Sequence, residues 1–328
     1  PVAEDRHLAR SARKAFVDLF KNAVEIPSPA TEALCRAAKK AGTYVVMGIN
    51  ERDAEFRGTL YNTLLYIDKH GQIMGWHRKL MPTFTERTIW GQGDGAGLHV
   101  FETGIGHLGG LICFEHQMTL VKYAMFAKGE QIHVAAWPTT FGHFTDYASR
   151  QYAIEGQVFV LLAASYMTEE QIPDDFPLKE VTNWTAEGGS CIIGPFGHYL
   201  VGPVFGREET LYAEIDLSQI VEAKQSLDTI GHYARPDVVR LLLDESRRKP
   251  MTVTGSLVES GVKPAITPVR DGLLSADAGN DLRPDDLRAA IADLRQQLAS
   301  LEAKLASGLR LLASDRDALQ DADRRENR

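Results

Sequence analysis

The stretch Leu108-Gly109-Gly110-Leu111-Ile112-Cys113-Phe114-Glu115-His116 changes from apolar to polar at Cys113. Residues 108–112 predict a buried strand, and residues 117–128 predict a helix that ends at Gly129. Cys113 is therefore expected at a turn from a strand to a helix, at the edge of a sheet. The positive end of the helix dipole favours a thiolate there. Because a free cysteine is often a buried structural residue, the position alone leaves a nucleophile and a structural role open.

Outward from this stretch, predicted strands alternate with helices in the middle of the chain and pair as hairpins elsewhere. This order predicts an α/β domain with mixed sheets. Helices are predicted at 30–41, 117–128 and 144–156, and strands at 44–49, 60–68, 73–77, 98–101, 108–112, 132–137, 158–164, 189–193, 199–201 and 211–215.

The domain is assigned to residues 1–250, and two further segments follow it. Residues 251–283, with many Gly, Ser, Pro and Thr, are predicted to be a linker or extended segment. Residues 284–328 are predicted to form a helical tail that begins at Pro284. Mixed charges and the lack of aromatic residues favour self-association or packing on the parent domain over membrane-surface binding. Its apolar positions have coiled-coil spacing: Leu287, Ile291, Leu294, Leu298, Leu301 and Leu305.

The amino-acid composition and net charge limit the kinds of protein to which this chain can belong. The chain has 328 residues, is 44% hydrophobic and carries a formal net charge of −8, which suits a globular protein and disfavours nucleic acid as a partner. The sequence contains no run of 18 consecutive apolar residues, the length that would indicate a membrane span. Three cysteines, Cys35, Cys113 and Cys191, lack the close spacing of a zinc site and indicate a reducing cytoplasm rather than a disulfide framework.

Further candidates flank Cys113 along the chain. Lys79 ends a basic triplet after a predicted strand and could stabilise a developing anion, or lie in a solvated basic loop. Glu86 could reach Lys79 only if the loop between them folds back, and otherwise forms a surface ion pair with Arg87 or Arg78. The glycines of residues 91–95 predict a loop that can approach a ligand closely.

Histidines are weaker candidates. His116 is too near Cys113 in sequence to act easily as its base, because the side chains of near neighbours diverge. Three others lack metal-ligand spacing and are expected to be structural: His133, His143 and His232.

Taken together, these motifs resemble the nitrilase branch of the carbon–nitrogen hydrolase superfamily. The resemblance covers roughly residues 15–245 and rests on residues 48–53, 75–83, 86–87, 90–95, 111–116 and 228–237. It implies a four-layer α-β-β-α sandwich and hydrolysis of a small-molecule nitrile to a carboxylic acid and ammonia. It also implies a homodimer that extends to higher homo-oligomers or spirals, and no metal or organic cofactor.

The resemblance also implies roles for particular residues. Cys113 corresponds to the nucleophile, Lys79 to the catalytic lysine and Glu86 to a supporting carboxylate. The proposed substrate-binding residues are Phe114, Trp137 and Thr139, and Phe141 and Trp184 are pocket walls or core residues. Whether the nitrile is aliphatic, aromatic or an arylacetonitrile stays open.

Two positions depart from the family pattern. Phe114 replaces the usual tryptophan and keeps an aromatic wall. The general-base glutamate of the family belongs to a Phe-Pro-Glu-like segment well upstream of the lysine, so we expect it before Pro1; Glu4 lies in an unsuitable polar setting. The domain is thus expected to be N-terminally incomplete. Alternatives are a cyanide- or nitrile-hydrating enzyme, an amidase, or an inactive oligomerising remnant if the chain is complete.

Overall fold

The computed structural model describes residues 2–56, 58–181 and 185–248. Its α-helices are α1 (Val2–Asn22), α2 (Pro29–Ala41), α3 (Thr119–Ala127), α4 (His143–Gly156) and α5 (Ser218–Ser226). Its strands are β1 (Val45–Arg52), β2 (Leu60–Ile67), β3 (Ile73–Arg78), β4 (Phe101–Thr103), β5 (Gly106–Ile112), β6 (Ile132–Trp137), β7 (Phe159–Ala164), β8 (Tyr166–Met167), β9 (Ala186–Ile193) and β10 (Tyr199–Phe205). The predicted linker at 251–283 and the helical tail lie outside the described residues.

Several segments differ from the elements expected from the sequence: α5 and the two-residue strand β8 were not predicted, and β4 begins at Phe101 rather than at Leu98. Helix α1 was not predicted either, although Leu8, Ala12, Phe16 and Phe20 recur at helical spacing. Leu211 to Ile215 was predicted as a strand, and its side chains do alternate between half-buried and exposed. Its backbone, however, pairs with neither sheet in the described part of the chain. An extended segment that lies along a surface produces the same alternation as a strand, so the pattern cannot distinguish them.

The strands form two sheets. The smaller is an antiparallel meander in the order β1-β2-β3. The larger has the order β10-β9-β7-β6-β5-β4, and β8 pairs with β9. Strands β5, β6 and β7 are parallel, and their register places Ile112, Ala136 and Ala163 level with one another. The carboxyl ends of the three parallel strands therefore meet at one edge of the larger sheet.

The two sheets face each other, and helices cover their outer faces. Successive residues of a strand point to opposite faces. Leu64 and Tyr66 of β2 pack against the larger sheet, where the Tyr66 hydroxyl donates to the carbonyl oxygen of Gly110 at 3.3 Å. Leu65 and Ile67 instead pack beneath α2. Because α3 and α4 cover the far face of the larger sheet, the layers follow the order α-β-β-α that was predicted.

Candidate active site

A cavity of about 280 Å³ opens where the parallel strands of the larger sheet end. Cys113 follows β5, Trp137 ends β6 and Ser165 follows β7, and all three line this cavity. Lys79, directly after β3, approaches from the smaller sheet together with Glu86. The fold therefore brings the three residues that the sequence selected for catalysis to a single cavity.

Cys113 occupies a strained turn. Its φ of +54° lies in the left-handed region, which a residue with a Cβ adopts at a cost and only where its surroundings hold it. The residue begins a short 3-10 helix, Cys113–Gln117, and α3 starts only at Thr119. The expected thiolate at the N-terminus of an α-helix is therefore not what the structure shows, because the 3-10 turn separates the sulfur from α3.

Burial and nearby charges change the pKa of the Cys113 thiol in opposite directions. Burial raises the pKa of Cys113 to about 11, although the nearby Lys79 ammonium and the backbone N–H of Phe114 lower it. The side chain is 2% exposed. At neutral pH the sulfur is therefore mostly a thiol, and the positive charge of Lys79 is what favours the thiolate once a proton is removed.

Lys79 is held in place by the loop that follows it. Its side chain is 1% exposed, and its Nζ donates to Glu86 Oε2 at 2.6 Å and to Thr83 Oγ1 at 3.0 Å. The backbone N–H of Thr83 also donates to Glu86 Oε2 at 2.6 Å. The 3-10 turn Phe84–Thr88 folds the carboxylate back toward the lysine, as the spacing required.

The alternative partners of Glu86 are engaged elsewhere. Arg78 pairs with Glu51 and Asp53, and the guanidinium of Arg87 donates to the carbonyl oxygen of Pro82. A surface ion pair of Glu86 with either arginine is therefore not formed. Lys79 is likewise buried rather than part of a solvated loop.

Glu115 joins the two sheets at the site. One oxygen accepts from the N–H of Leu80 at 2.7 Å, and the other accepts from the N–H of Ile112 at 2.8 Å and from His77 Nε2 at 2.9 Å. Burial raises the pKa of Glu115, but the His77 ring and the two backbone N–H groups outweigh it, so the pKa lies below its ordinary value. This carboxylate ties the end of β3, which carries Lys79, to the end of β5, which carries Cys113.

His77 and Glu115 lie within the motifs, but the sequence alone assigned no role to either residue. The signal available in the sequence was a titratable side chain near the end of each of two predicted strands: His77 is the last residue of the strand predicted at 73–77, and Glu115 follows Ile112 by three residues. A buried charge is tolerated only with partners, so such positions indicate a paired group. Which two groups pair depends on how the sheets stack, and a single sequence does not contain that.

The three proposed substrate-binding residues occupy different places. Trp137 lines the cavity, whereas Phe114 and Thr139 are not among its lining residues. The Phe114 ring packs edge-on against Trp137 with centroids 5.6 Å apart, and it also contacts Phe141 at 5.4 Å. Trp184 lies outside the described residues.

The glycine loop at 91–95 approaches the protein's own backbone rather than open space. Gly91 N–H donates to the Leu60 carbonyl at 2.8 Å, and Gly93 N–H donates to the Lys79 carbonyl at 2.9 Å. A Cβ on Gly93 would overlap the carbonyl oxygen of Arg78. The loop therefore supports the backbone from which the Lys79 side chain projects.

In the described ranges, no group of three or more His, Cys, Asp or Glu residues is arranged to hold a metal ion. None of the helices described is both long and apolar enough to cross a membrane.

The family profile described as carbon-nitrogen hydrolase matches residues 14–225. This chain belongs to that family. Its relatives place it in the nitrilase branch: it is 42% identical over 249 residues to "Nitrilase 2" of an unknown prokaryotic organism, covering 76% of this chain and 79% of that protein. It is 41% identical to "Nitrilase 2" of Arabidopsis thaliana, covering 73% and 72%.

Another relative and a solved structure add to this. A "Bifunctional nitrilase/nitrile hydratase" of Nicotiana tabacum is 38% identical, with 76% of this chain and 74% of that protein covered. The crystal structure of Saccharomyces cerevisiae Nit3, described as a member of branch 10 of the nitrilase superfamily, superposes with a TM-score of 0.57. It covers 66% of this chain and 77% of that one at 22% identity, which confirms the fold alone.

Proposed function

We propose that this chain is a nitrilase, which hydrolyses organic nitriles to carboxylic acids and ammonia with Cys113 as the nucleophile. The observation that carries the proposal is the position of Cys113, at a strained turn in a cavity that it shares with the buried Lys79–Glu86 pair. The similarity to several nitrilases over about three quarters of the chain supports the choice of substrate class.

The first chemical step forms a bond between sulfur and carbon. The Cys113 thiol gives up its proton, and the sulfur attacks the electrophilic carbon of the nitrile. The electron pair of the broken π bond moves to nitrogen, which takes a proton that Lys79 helps to deliver, and a thioimidate results. The ammonium of Lys79 stabilises the charge that develops on nitrogen, while Glu86 and Thr83 hold that ammonium in position.

Two water molecules complete the reaction. The first adds to the thioimidate carbon, and the tetrahedral intermediate expels ammonia to leave a thioester. The second attacks the thioester, releases the carboxylic acid and returns the thiol. Each nitrile thus consumes two waters and yields one acid and one ammonia, and the covalent intermediate divides a difficult hydrolysis into easier steps.

The proton of Cys113 needs an acceptor, because burial raises the pKa of this thiol to about 11. The prediction that a glutamate upstream of Pro1 accepts it follows from the resemblance and stays a prediction. Sequencing the gene upstream of the Pro1 codon tests it directly. A start codon there without a Phe-Pro-Glu-like segment would contradict the prediction and favour an inactive remnant.

A second outcome of the same chemistry is hydration to the amide. If the tetrahedral intermediate expels the sulfur instead of ammonia, the product is an amide and no ammonia is released. The similarity to a bifunctional nitrilase/nitrile hydratase of Nicotiana tabacum supports this alternative.

The test compares nitriles with their amides. The full chain is incubated with aliphatic, aromatic and arylacetonitriles and with the matching amides, and ammonia, acid and amide are quantified. We expect acid and ammonia from nitriles, and none from a Cys113→Ala variant. Acid quenching should add the acyl mass to tryptic peptide 88–122, whose single cysteine is Cys113. Ammonia from amides alone would indicate an amidase, and no product from any compound would support the inactive remnant.

We propose that Trp137 contacts the substrate directly and that Phe114 and Thr139 act on substrate binding indirectly. Trp137 forms part of the cavity wall, and Phe114 sets the position of Trp137 by packing against its ring. Thr139 follows directly after this wall and is buried, so its effect on substrates is expected to be indirect.

Self-association is proposed as well. Helix α4 exposes Phe144, Tyr147 and Ile154, an apolar face of the kind that protein interfaces cover. We propose that copies of this chain form a homodimer and larger homo-oligomers. The three free cysteines support the cytoplasm as the proposed location.

A further inference from the structure

A buried polar chain lies behind Cys113, and none of its members lines the active-site cavity. It consists of His116 in the 3-10 turn, His133 on β6, Glu130 just before β6 and Tyr152 on α4, and we name these four residues the histidine chain. None of the four side chains is more than 3% exposed. The mechanism proposed above uses none of them, although buried titratable groups are costly unless each bond is made.

The histidine chain is continuous from the nucleophile to α4. His116 Nδ1 lies 2.6 Å from the carbonyl oxygen of Cys113, and its Nε2 lies 2.9 Å from His133 Nε2. His133 Nδ1 lies 2.8 Å from Glu130 Oε1, and the Tyr152 hydroxyl donates to Glu130 Oε2 at 2.5 Å. Every ring nitrogen of both histidines therefore has one partner.

The ring nitrogens that carry hydrogen in the histidine chain can be assigned by starting from the carbonyl oxygen of Cys113. A carbonyl oxygen only accepts, so His116 Nδ1 carries a proton and donates to Cys113. Burial, together with the nearby His133, lowers the pKa of His116 well below its ordinary value, so the ring is neutral and its Nε2 is an acceptor. His133 Nε2 must then carry a proton and donate. One proton remains between His133 Nδ1 and Glu130, whichever of the two atoms holds it.

The direction in which the histidine chain donates hydrogen bonds matters because its last donor, His116 Nδ1, binds the carbonyl oxygen of Cys113. The carbonyl of Cys113 and the N–H of Phe114 belong to one planar peptide unit. The Phe114 N–H is one of the groups that lower the pKa of the Cys113 thiol, so it lies near the sulfur. A bond that fixes the carbonyl end of this peptide therefore also fixes its N–H end beside the sulfur.

We propose that the histidine chain is a positioning device for the nucleophile. The Nε2–H of His133 holds His116 in the tautomer with hydrogen on Nδ1. The Nδ1–H of His116 in turn anchors the Cys113–Phe114 peptide in the strained turn. In the other tautomer, a lone pair of Nδ1 would face the carbonyl oxygen at 2.6 Å and repel it. His116 and His133 are thus positioning residues that act through the backbone of Cys113.

The test separates the donor of His133 from its bulk. In His133→Gln, the side-chain amide can donate to His116 Nε2, whereas His133→Met has similar length and no donor. Both variants lose the bond to Glu130, so a role of His133 that is confined to that bond or to its bulk predicts equal effects. We expect kcat of the Met variant to be about tenfold below that of the Gln variant, the scale of losses when a residue that orients a functional ligand is removed, with KM unchanged. Equal kcat values would overturn the proposal.

Two further measurements do not require turnover, which matters because the kcat comparison rests on the proposed nitrilase function. Iodoacetamide should alkylate Cys113 more slowly in the Met than in the Gln variant, read on peptide 88–122. In the unmutated protein, ¹⁵N spectra of the imidazoles, assigned with His116→Asn, should show hydrogen on Nδ1 of His116. Hydrogen on Nε2 would overturn the proposal even if both variants failed to fold or no nitrile were hydrolysed.

Discussion

At the scale of single residues, the reactivity of Cys113 depends on two charges of opposite sign. The Lys79 ammonium lowers the pKa of the thiol and the Glu86 carboxylate raises it, although burial has the larger effect. The two groups are bonded to each other at 2.6 Å, so a variant of either one leaves its partner in place with Thr83 as a remaining contact.

This arrangement predicts opposite changes in the alkylation of Cys113. Lys79→Met should raise the pKa of the thiol and slow its reaction with iodoacetamide at pH 8 by roughly tenfold, the effect of one pKa unit. Glu86→Gln removes the opposing charge and should speed the reaction. The measurement is the labelling rate of peptide 88–122 between pH 7 and pH 10. Cys191 serves as the internal control, because its pKa of about 12 arises from burial and Asp146. Changes in the same direction would contradict the assignment.

Glu115 leads to a prediction about stability. A glutamine there would remove the carboxylate that is hydrogen-bonded to His77 Nε2 and would turn an N–H₂ group toward one of two backbone N–H donors, those of Leu80 and Ile112. A buried N–H that is left without an acceptor costs about 1–3 kcal/mol, so Glu115→Gln should lower the urea midpoint markedly. The matched control is Glu32→Gln, in an exposed pair with Arg36, which should change stability by less than about 0.5 kcal/mol. Similar midpoints for both variants would count against the proposed link between the sheets.

The residues of the site were predictable to different degrees. Cys113, Lys79 and Glu86 were selected from motif order and spacing, because local sequence carries that information. The partners of Glu115 and the histidine chain were not. They join residues from β3, β5, β6 and α4, and those contacts exist only after the sheets and helices have stacked.

At the scale of elements, the glycine loop at 91–95 supports the strand that leads to Lys79. Gly93→Ala should displace the backbone of Arg78 and Lys79, because its Cβ would overlap the Arg78 carbonyl oxygen. We expect kcat to fall at least tenfold, and the melting temperature to fall as well. In the control, Gly104→Ala, the new Cβ would make ordinary contacts of 3.6 Å with Tyr44 and 3.8 Å with Lys69. A Gly93→Ala enzyme as active as the control would show that the loop is not needed to place the lysine.

Most elements could be predicted because their periodicity was strong. The parallel strands β5, β6 and β7 appear in sequence as short apolar runs between helices and turns, which is typical of buried strands. Leu211 to Ile215 was assigned wrongly because alternation reports burial and not hydrogen bonding. Helix α1 was missed although its apolar residues recur at helical spacing, and the short helix α5 was missed as well.

At the scale of the whole molecule, the four-layer order followed from the resemblance and not from periodicity. The sequence shows that both faces of β2 are apolar, but not which face meets α2 and which meets the second sheet. That choice decides where β3 ends relative to β5, and therefore whether Lys79 can reach Cys113. The fold thus determines the chemistry through the stacking of two sheets that are far apart in sequence.

The apolar spacing from Leu287 to Leu305, outside the described residues, predicts a role in assembly that can be tested on the full chain. Removing residues 281–328 should reduce particle size in light scattering if this segment joins copies of the chain, because a seam with a 4-3 repeat buries its leucines only against another helix. A second variant replaces Leu294 and Leu301 by serine, which keeps the length of the chain and removes two apolar side chains from the seam. Both changes should shift the distribution toward smaller particles, whereas the α4 face should still hold dimers together. Particles of unchanged size in both proteins would exclude the seam from assembly and leave the exposed face of α4 as the proposed contact.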